Sequence, residues 1–399
     1  MNRLFTFLLV ASLLGVGTAK AQNGTGFIGN GYYRVSNLAT SRFIYVTDNK
    51  DYYDMARDKE DFQAIQLWKD VNRYVSDPGS VIYIEQVTND HFDLKAQGTG
   101  VHSLTGYYVG VTKSSGTYIV SASVTKAGMQ VTKYLTDTEQ SSSDQGTLGT
   151  TGKLNYRKWI VDRIETNHAS NYFGIKPTIE AGGKYYQPFY AAFPFKVSSA
   201  GMHVYYIDEV ESQYAVLKEI EGEVPAATPV LIECASANPS SNRIELLASS
   251  SVKVTDNLLG GVYFCNGKRP EKSVDAYTAF DAEKMRVFSV VDGQLVLTNN
   301  ADARLSEIKT VDYSTYNMIK VKCLPANTSY LKADADTPAE VPVFVDGNVP
   351  DAIGSIMAEQ RPAAEGVYSL SGTQLRSTGD LQGLPSGLYI VNGKKVAIR

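Results

Sequence analysis

Residues 31–46 read Gly31-Tyr32-Tyr33-Arg34-Val35-Ser36-Asn37-Leu38-Ala39-Thr40-Ser41-Arg42-Phe43-Ile44-Tyr45-Val46. Two short runs rich in aromatic and β-branched residues flank a polar Ser/Asn/Thr stretch. That is a strand, a turn and a second strand. The pattern returns in Val81-Ile82-Tyr83-Ile84-Glu85 with Gly106-Tyr107-Tyr108-Val109-Gly110-Val111, and in Lys158-Trp159-Ile160-Val161 with Asn171-Tyr172-Phe173-Gly174-Ile175. One hairpin cannot bury its own face, whereas several closing together bury their faces and abolish free edges. Residues 22–180 are therefore expected to form a β-trefoil-like or barrel block. Ser141–Thr151 reads as a loop inside it.

Composition agrees with an all-β chain. Of 399 residues, 33 are Gly and 26 Tyr, against 2 Trp and 4 His. That length corresponds to about two to four domains. With 43% hydrophobic and 20% charged residues the chain is globular. A net charge of −4 argues against a nucleic-acid partner. Helical periodicity is weak; the best candidate helix is Asp51–Val71, where Ala64, Ile65, Leu67 and Trp68 make a partial apolar stripe.

A second block, residues 184–332, carries an internal echo. Val224-Pro225-Ala226-Ala227-Thr228-Pro229-Val230-Leu231 returns as Leu324-Pro325-Ala326-Asn327-Thr328-Ser329-Tyr330-Leu331, with Pro225 and Pro325 standing 100 positions apart. In both copies a Pro-Ala-x-Thr turn feeds an apolar run, which predicts paired β modules in a sandwich-like domain. Residues 333–365, polar and rich in Pro and Ala, read as a linker. The tail, 366–399, reads as a small antiparallel β domain. Its predicted strands are Val367–Leu370, Gln374–Arg376, Gly387–Val391 and Lys394–Ile398, with Asn392-Gly393 as a type I′ turn.

The N-terminus has the three parts of an export signal: Arg3, the apolar run Leu4–Val16, and Ala19-Lys20-Ala21 before Gln22. Residues 1–21 are read as a signal peptide. Without Arg3 and Lys20, 36 of the 38 basic residues face 42 acidic ones. No other run reaches the roughly 20 apolar residues of a transmembrane helix. Cys234, Cys265 and Cys323 are an odd number, so they do not make a disulfide framework, and Cys234 and Cys323 sit in strand-like runs as small buried hydrophobes.

Three segments of the tail resemble the type A C-terminal sorting domain of the type IX (Por) secretion system of Bacteroidetes. They are Val367-Tyr368-Ser369-Leu370-Ser371-Gly372, Leu384-Pro385-Ser386-Gly387-Leu388-Tyr389-Ile390-Val391 and Asn392-Gly393-Lys394-Lys395-Val396, preceded by Asp346-Gly347, Ile353 and Ile356. The resemblance implies outer-membrane translocation, with Gly372, Leu384, Gly387, Tyr389, Gly393, Lys394 and Lys395 as sorting residues and the secretion machinery as a partner. Without that pathway the exported chain would stay periplasmic. Residues Tyr185–Glu245 resemble uncharacterised secreted, adhesin-like proteins of gut and oral Bacteroidetes, through Phe193-Pro194-Phe195, Gly201–Tyr206 and Val224–Val230. Gly31–Val35 with Arg42–Val46 resembles the opening of ricin-like β-trefoils.

Chemistry is scarce in the sequence. No GxSxG, SxxK or Cys/His pair stands in a context suited to nucleophilic catalysis. His91, His102, His168 and His203 are scattered, and none lies in HExxH. Glycoside hydrolysis needs two facing carboxylates; Asp208, Glu209 and Glu211, and Glu219, Glu221 and Glu223, read instead as solvated strand faces and turns. Asp334-x-Asp336 and Asp346-x-Asn348-x-x-Asp351 lack the full calcium-loop pattern. No catalytic residue, metal site or cofactor is assigned. The aromatic doublets remain: Tyr107, Tyr108, Tyr185, Tyr186, Tyr205 and Tyr206 are the candidate ligand-binding residues, because outward tyrosines make platforms for sugar rings or a partner's surface. The expectation is an exported, surface-associated, non-catalytic protein that binds a glycan or a host or bacterial surface protein. A secreted glycosidase-like hydrolase and a structural envelope component are the alternatives.

Overall fold

Tyr32 and Tyr33 are neighbours on one strand, so their rings leave it on opposite sides. Both are buried, and each side of that strand therefore packs against something. The structure is a computed structural model. It describes residues 24–46, 65–68, 74–89, 91–96, 102–103, 109–114, 116–126, 128–137, 146–149, 154–211, 214–263, 277–312, 314–345, 366–369, 373–378, 380–391 and 394–398. The protein is all-β: regular structure among the described residues is β-strand apart from short single turns of helix. Two compact units are present, Met1–Val343 and Phe344–Arg399.

The first block begins with β1 (Gly31–Asn37), β2 (Phe43–Val46), β3 (Ile65–Trp68), β4 (Ile82–Thr88), β5 (His91–Ala96) and β6 (His102–Ser103). It continues with β7 (Val109–Ser114), β8 (Thr117–Lys126), β9 (Met129–Asp137), β10 (Gly146–Gly149) and β11 (Lys158–Arg163). Antiparallel pairing runs from β1 to β4, β5, β7, β8 and β11, and then back to β1. Six strands thus close into a ring and leave no edge between them. The hairpins β2–β3 and β9–β10 stand outside the ring, which makes the barrel trefoil-like. Val35, Ile84, Leu94 and Val161 fill its interior with Phe27, Phe92 and Tyr118, around an apolar void of only about 10 Å³.

Residues Ile65–Trp68 of the candidate helix are a strand, paired residue for residue with Phe43–Val46. The partial stripe was too short to specify a helix, and a ready β partner decides the conformation of such a run. The rest of Asp51–Val71 lies outside the described residues.

The outer face of β1 is covered by the second block. Tyr32 packs edge-on against Phe193 at 6.0 Å, and Tyr32, Val81 and Tyr83 join Phe173, Phe189 and Phe195 in one apolar cluster. Barrel and second block therefore share a core. Arg34, one pleat along, is fully buried at this seam. Its guanidinium donates to Ser80 Oγ (3.1 Å), Asn171 Oδ1 (2.8 Å), Tyr172 O (2.7 Å) and Tyr74 O (3.2 Å), and lies over the Tyr74 ring. All four acceptors are neutral, and burial lowers the Arg34 pKa to about 10.

The second block comprises β12 (Phe173–Gly174), β13 (Ile179–Ala181), β14 (Lys184–Phe189), β15 (Phe195–Val197), β16 (His203–Val210), β17 (Ala215–Glu219), β18 (Glu223–Val224) and β19 (Val230–Cys234). Then come β20 (Arg243–Leu246), β21 (Leu259–Val262), β22 (Met285–Val291), β23 (Gln294–Thr298), β24 (Ser306–Asp312), β25 (Asn317–Cys323), β26 (Thr328–Lys332) and β27 (Glu340–Val345). One ten-stranded sheet has the order β13-β14-β19-β16-β17-β27-β23-β22-β26-β21. About β27 this order is nearly symmetric: β14-β19-β16-β17 on one side answers β21-β26-β22-β23 on the other. The repeated Pro-Ala-x-Thr turns enter β19 and β26, the equivalent strands of the two halves. The sheet β12-β20-β15-β18 contributes Phe173, Phe195, Val224 and Ile244 to the cluster that β14, β16 and β19 complete. Strand β27 lies within the stretch expected to be a linker and pairs with β23.

The second unit is a four-stranded antiparallel sheet with the order β29-β28-β30-β31, from β28 (Val367–Ser369), β29 (Gln374–Arg376), β30 (Gly387–Val391) and β31 (Lys394–Ile398). Val391 pairs with Lys394 across the hairpin. Asn392-Gly393 itself lies outside the described residues.

Candidate functional site

A proline inside a sheet fixes where the site opens. Strand β13 pairs with β14 only from Ile179↔Tyr186 to Ala181↔Lys184, so on that side Gln187, Pro188 and Phe189 have no ladder partner. Pro188 has no N–H to donate and suits such an edge. The interrupted edge borders two adjoining cavities, of about 140 and 220 Å³, that share Gln187 and Ala326 as lining residues.

The smaller cavity sits where barrel and second block meet. Ser76, Asp77 and Pro78 come from the barrel, Lys176 from the connection, and Asn327 from the repeated turn. Asp77 Oδ1 accepts from the Gly79 N–H at 2.9 Å and caps a 3-10 turn. Asn327 Nδ2 donates to Tyr190 O at 3.0 Å. The larger cavity is mostly apolar, with Ile179, Pro188, Val287, Phe288, Leu324 and Pro325 in its walls. Arg304 also lines it. Its Nη1 donates to Thr178 O at 2.7 Å, and burial lowers its pKa. Gln187 Nε2 donates to Pro188 O at 2.9 Å, while its Oε1 is buried and accepts no hydrogen bond.

The sequence-expected tyrosines lie elsewhere. Tyr107 and Tyr108 fall outside the described residues. Tyr185 and Tyr206 are half-buried and pack against the shared core; the Lys218 ammonium stands 5.9 Å from the Tyr206 ring centre. Tyr186 and Tyr205, one pleat away, are buried on the opposite face. There they flank Glu233, which Lys184 Nζ meets at 2.8 Å and Tyr205 Oη at 3.4 Å. Burial, then the Glu233 carboxylate, pushes Tyr186 up to about 12 and Cys234 up to about 12; Tyr205 is raised by the same two causes. These four tyrosines occupy two faces of one sheet and form no single platform. Cys234 and Cys323 are buried thiols, with Cys323 Sγ donating to Ser306 O at 3.5 Å; Cys265 falls outside the described residues.

The acidic runs are spread along strands. Asp208 pairs with Lys218 at 2.7 Å, Glu219 meets His203 Nδ1 at 2.7 Å, and Glu209 and Glu211 are exposed. No group of three metal-ligating side chains occurs among the described residues. In the tail, Leu384 and Tyr389 are half-buried, with Tyr389 Oη donating to Pro385 O at 2.8 Å. Gly387 and Lys395 are exposed. Lys394 opens β31, and Gly372 and Gly393 lie outside the described residues.

No protein-family model matches the chain, and no curated protein matches it. Among solved structures, Cry35Ab1 aligns with a TM-score of 0.25 at 12% identity, over 43% of this chain and 47% of that one. A mosquitocidal holotoxin aligns with a TM-score of 0.26 at 8% identity, over 77% of this chain and 35% of that one. The chain thus spans less than half the length of either structure, and superposition at this level does not establish a common fold.

Gln187, Arg304, Lys176 and Asn327 are the site residues that sequence reading passes over. Pro188 within the apolar run Tyr185–Phe189 was the available signal, since a strand proline marks an unpaired edge.

Proposed function

We propose that this is an exported, surface-associated binding protein without catalytic activity, which recognises a glycan or protein ligand and is delivered by its C-terminal β unit. The observation that carries the binding reading is the cavity pair beside Pro188. A glycosidase needs two carboxylates facing each other across its cleft. Here the lining residues include a single acidic side chain, Asp77, already engaged as a cap. Delivery is supported by the tail's standing as a compact unit of its own and by its likeness to type A sorting domains.

The test combines two measurements. Purified chain is screened on glycan and surface-protein arrays and for glycosidase and protease turnover; binding without turnover is expected, and hydrolysis by the purified chain overturns the non-catalytic reading. In a host with a working type IX system, the full chain should reach the surface and a chain lacking Gly366–Arg399 should stay in the periplasm. Equal surface delivery of both overturns the sorting role.

A further inference from the structure

Arg304 is the only charged residue among those lining the larger cavity. It is half-buried, and its Nη1 donates to Thr178 O at 2.7 Å, which fixes the guanidinium in the wall that both residues form. Its Nε and Nη2 meet no acceptor among the described residues and stay open to solvent. Burial lowers the Arg304 pKa, and no carboxylate stands close enough to oppose the change. A guanidinium donates through N–H groups held in a planar fork. A fork that is partly desolvated and lacks an acid favours an anion that accepts two bonds side by side, and such charge-assisted bonds are stronger than neutral ones. The rest of the wall sets the body of that anion. Ile179 pairs with Tyr186, so Ile179 and Pro188 lie on one face of the strand pair, while the Gln187 side chain leaves from the other. Leu324 and Pro325 supply further apolar wall. The volume is about 220 Å³, against ~150 Å³ for an apolar cavity that holds a benzene ring, so a branched aliphatic or single-ring group fits.

One guanidinium offsets one negative charge. A second charge, as on a phosphate dianion, would lie unpaired beside apolar walls, which is costly. The geometry points to this cavity as a binding site for a small monocarboxylate with a branched aliphatic or single-ring body. The carboxylate accepts from Nε and Nη2 of Arg304, and the body lies against Pro325 and the face that Ile179 and Pro188 share. The inference rests on the reading of the chain as a binding protein and gives the larger cavity a ligand class of its own.

The test is calorimetric titration of the full-length chain with isocaproate, isocaproamide, acetate and inorganic phosphate. Isocaproate should saturate the protein in the millimolar range. The amide keeps the body and loses the charge, and should bind at least roughly tenfold more weakly. Acetate keeps the charge and loses most of the body, and should also bind at least roughly tenfold more weakly. Arg304→Met should bring isocaproate down to the affinity of the amide and leave the amide unchanged. Arg304→Lys, which keeps the charge without the fork, should recover part of the loss. Melting temperatures establish that each variant is folded. If Arg304→Met does not fold, Arg304→Lys and the acid–amide comparison on the unaltered chain decide. Equal affinity for acid and amide, no saturation by isocaproate at millimolar concentration, or unchanged isocaproate affinity in a folded Arg304→Met chain overturns the site. Acetate or phosphate binding as tightly as isocaproate marks an adventitious anion contact only and overturns it too. Ligand capture on the arrays with no response to isocaproate rejects this inference alone. Isocaproate binding by a chain that shows turnover rejects the non-catalytic reading alone.

Discussion

Ala227 and Asn327, 100 positions apart, hold the same left-handed backbone conformation, with φ of 57° and 53°. Both turns dock on one loop: the Ala227 N–H donates to Ala191 O at 2.9 Å, and Asn327 O accepts from the Tyr190 N–H at 3.1 Å. The sequence echo is thus an echo of conformation. Each turn redirects the chain into the equivalent strand of its half-sheet, and Ser329 Oγ bonds Val230 O across the halves at 2.7 Å.

The two turns should respond oppositely to substitution. Alanine in this region carries a steric cost of about 1–2 kcal/mol that asparagine tolerates better. Ala227→Asn should therefore raise stability by roughly 0.5–1 kcal/mol. Asn327→Ala acquires that cost and loses the bond to Tyr190 O, and should lower stability by roughly 1–2 kcal/mol. Urea midpoints at unchanged slope measure both. A destabilised Ala227→Asn chain would contradict the shared conformation.

Gly260 and Gly261 make room for two rings. A Cβ on Gly261 would lie 2.3 Å from the Tyr190 ring, and one on Gly260 would lie 2.5 Å from the Tyr330 ring. Tyr190 stands 4.3 Å from Tyr263, so its ring has little room to retreat. Gly261→Ala should cost about 1–3 kcal/mol through overpacking. The same substitution should cost much less in a Tyr190→Ala background, where the obstructing ring is gone. A double-mutant cycle reads that coupling, and strict additivity would place the cost in the backbone instead.

Arg34 ties β1 to the Tyr74–Ser80 turn and to the Asn171–Tyr172 connection that leads directly into β12, all through neutral acceptors, so its removal should also be felt in the block that β12 opens. Arg34→Met removes the buried charge, but strips donors from Tyr172 O and Asn171 Oδ1, while Tyr74 O keeps the Ser80 hydroxyl. Each unpaired buried acceptor costs roughly 1–3 kcal/mol. A loss of at least about 2 kcal/mol is expected, with earlier amide exchange in both blocks. Exchange confined to the barrel would show that the blocks do not depend on this contact.

Much of this fold was legible because local chemistry and final structure agree. In the tail, Val367, Gln374, Gly387 and Lys394 each open a strand where the turn residues place one. The all-β class follows from the same agreement in Gly31–Val46. Asp51–Val71 misled because Ile65 and Leu67 satisfy a weak helical stripe as readily as the strand that pairs with Phe43–Val46. The tyrosines show another limit: alternation shows that Tyr185 and Tyr186 face opposite ways, but not that packing against the core half-buries the one and buries the other. Gln187 and Arg304, 117 positions apart, meet one cavity only because the two half-sheets fold against each other, and no local pattern carries that information.

Buried tyrosines should set the alkaline limit of stability. Burial is the largest cause raising Tyr32, Tyr186, Tyr205 and Tyr263 above their ordinary value of 10.0, with Tyr186 pushed up to about 12. Below pH 10 these groups are protonated in both folded and unfolded chains, and their contribution is fully present. As pH rises from 10 through the folded-state values, the unfolded chain releases protons that the folded chain retains, so stability falls. The slope is up to ~1.4 kcal/mol per pH unit for each such tyrosine. Arg34 acts in the opposite sense. Its folded pKa of about 10 lies below 12.5, so the unfolded chain holds the extra proton and stability gains over that interval. Burial lowers Arg286 and Arg304 in the same sense and raises Tyr74 and Tyr330 as well, so six tyrosines against three arginines leave a net loss. Urea midpoints should therefore drop steeply between pH 10 and pH 12, with phenolate absorbance from these residues appearing only on unfolding. Tyr186→Phe should flatten the drop, because it removes one raised group and its interaction with Glu233. A flat stability profile across that window, or a phenolate titrating near pH 10 at Tyr186 in the folded protein, would show that these rings are hydrated.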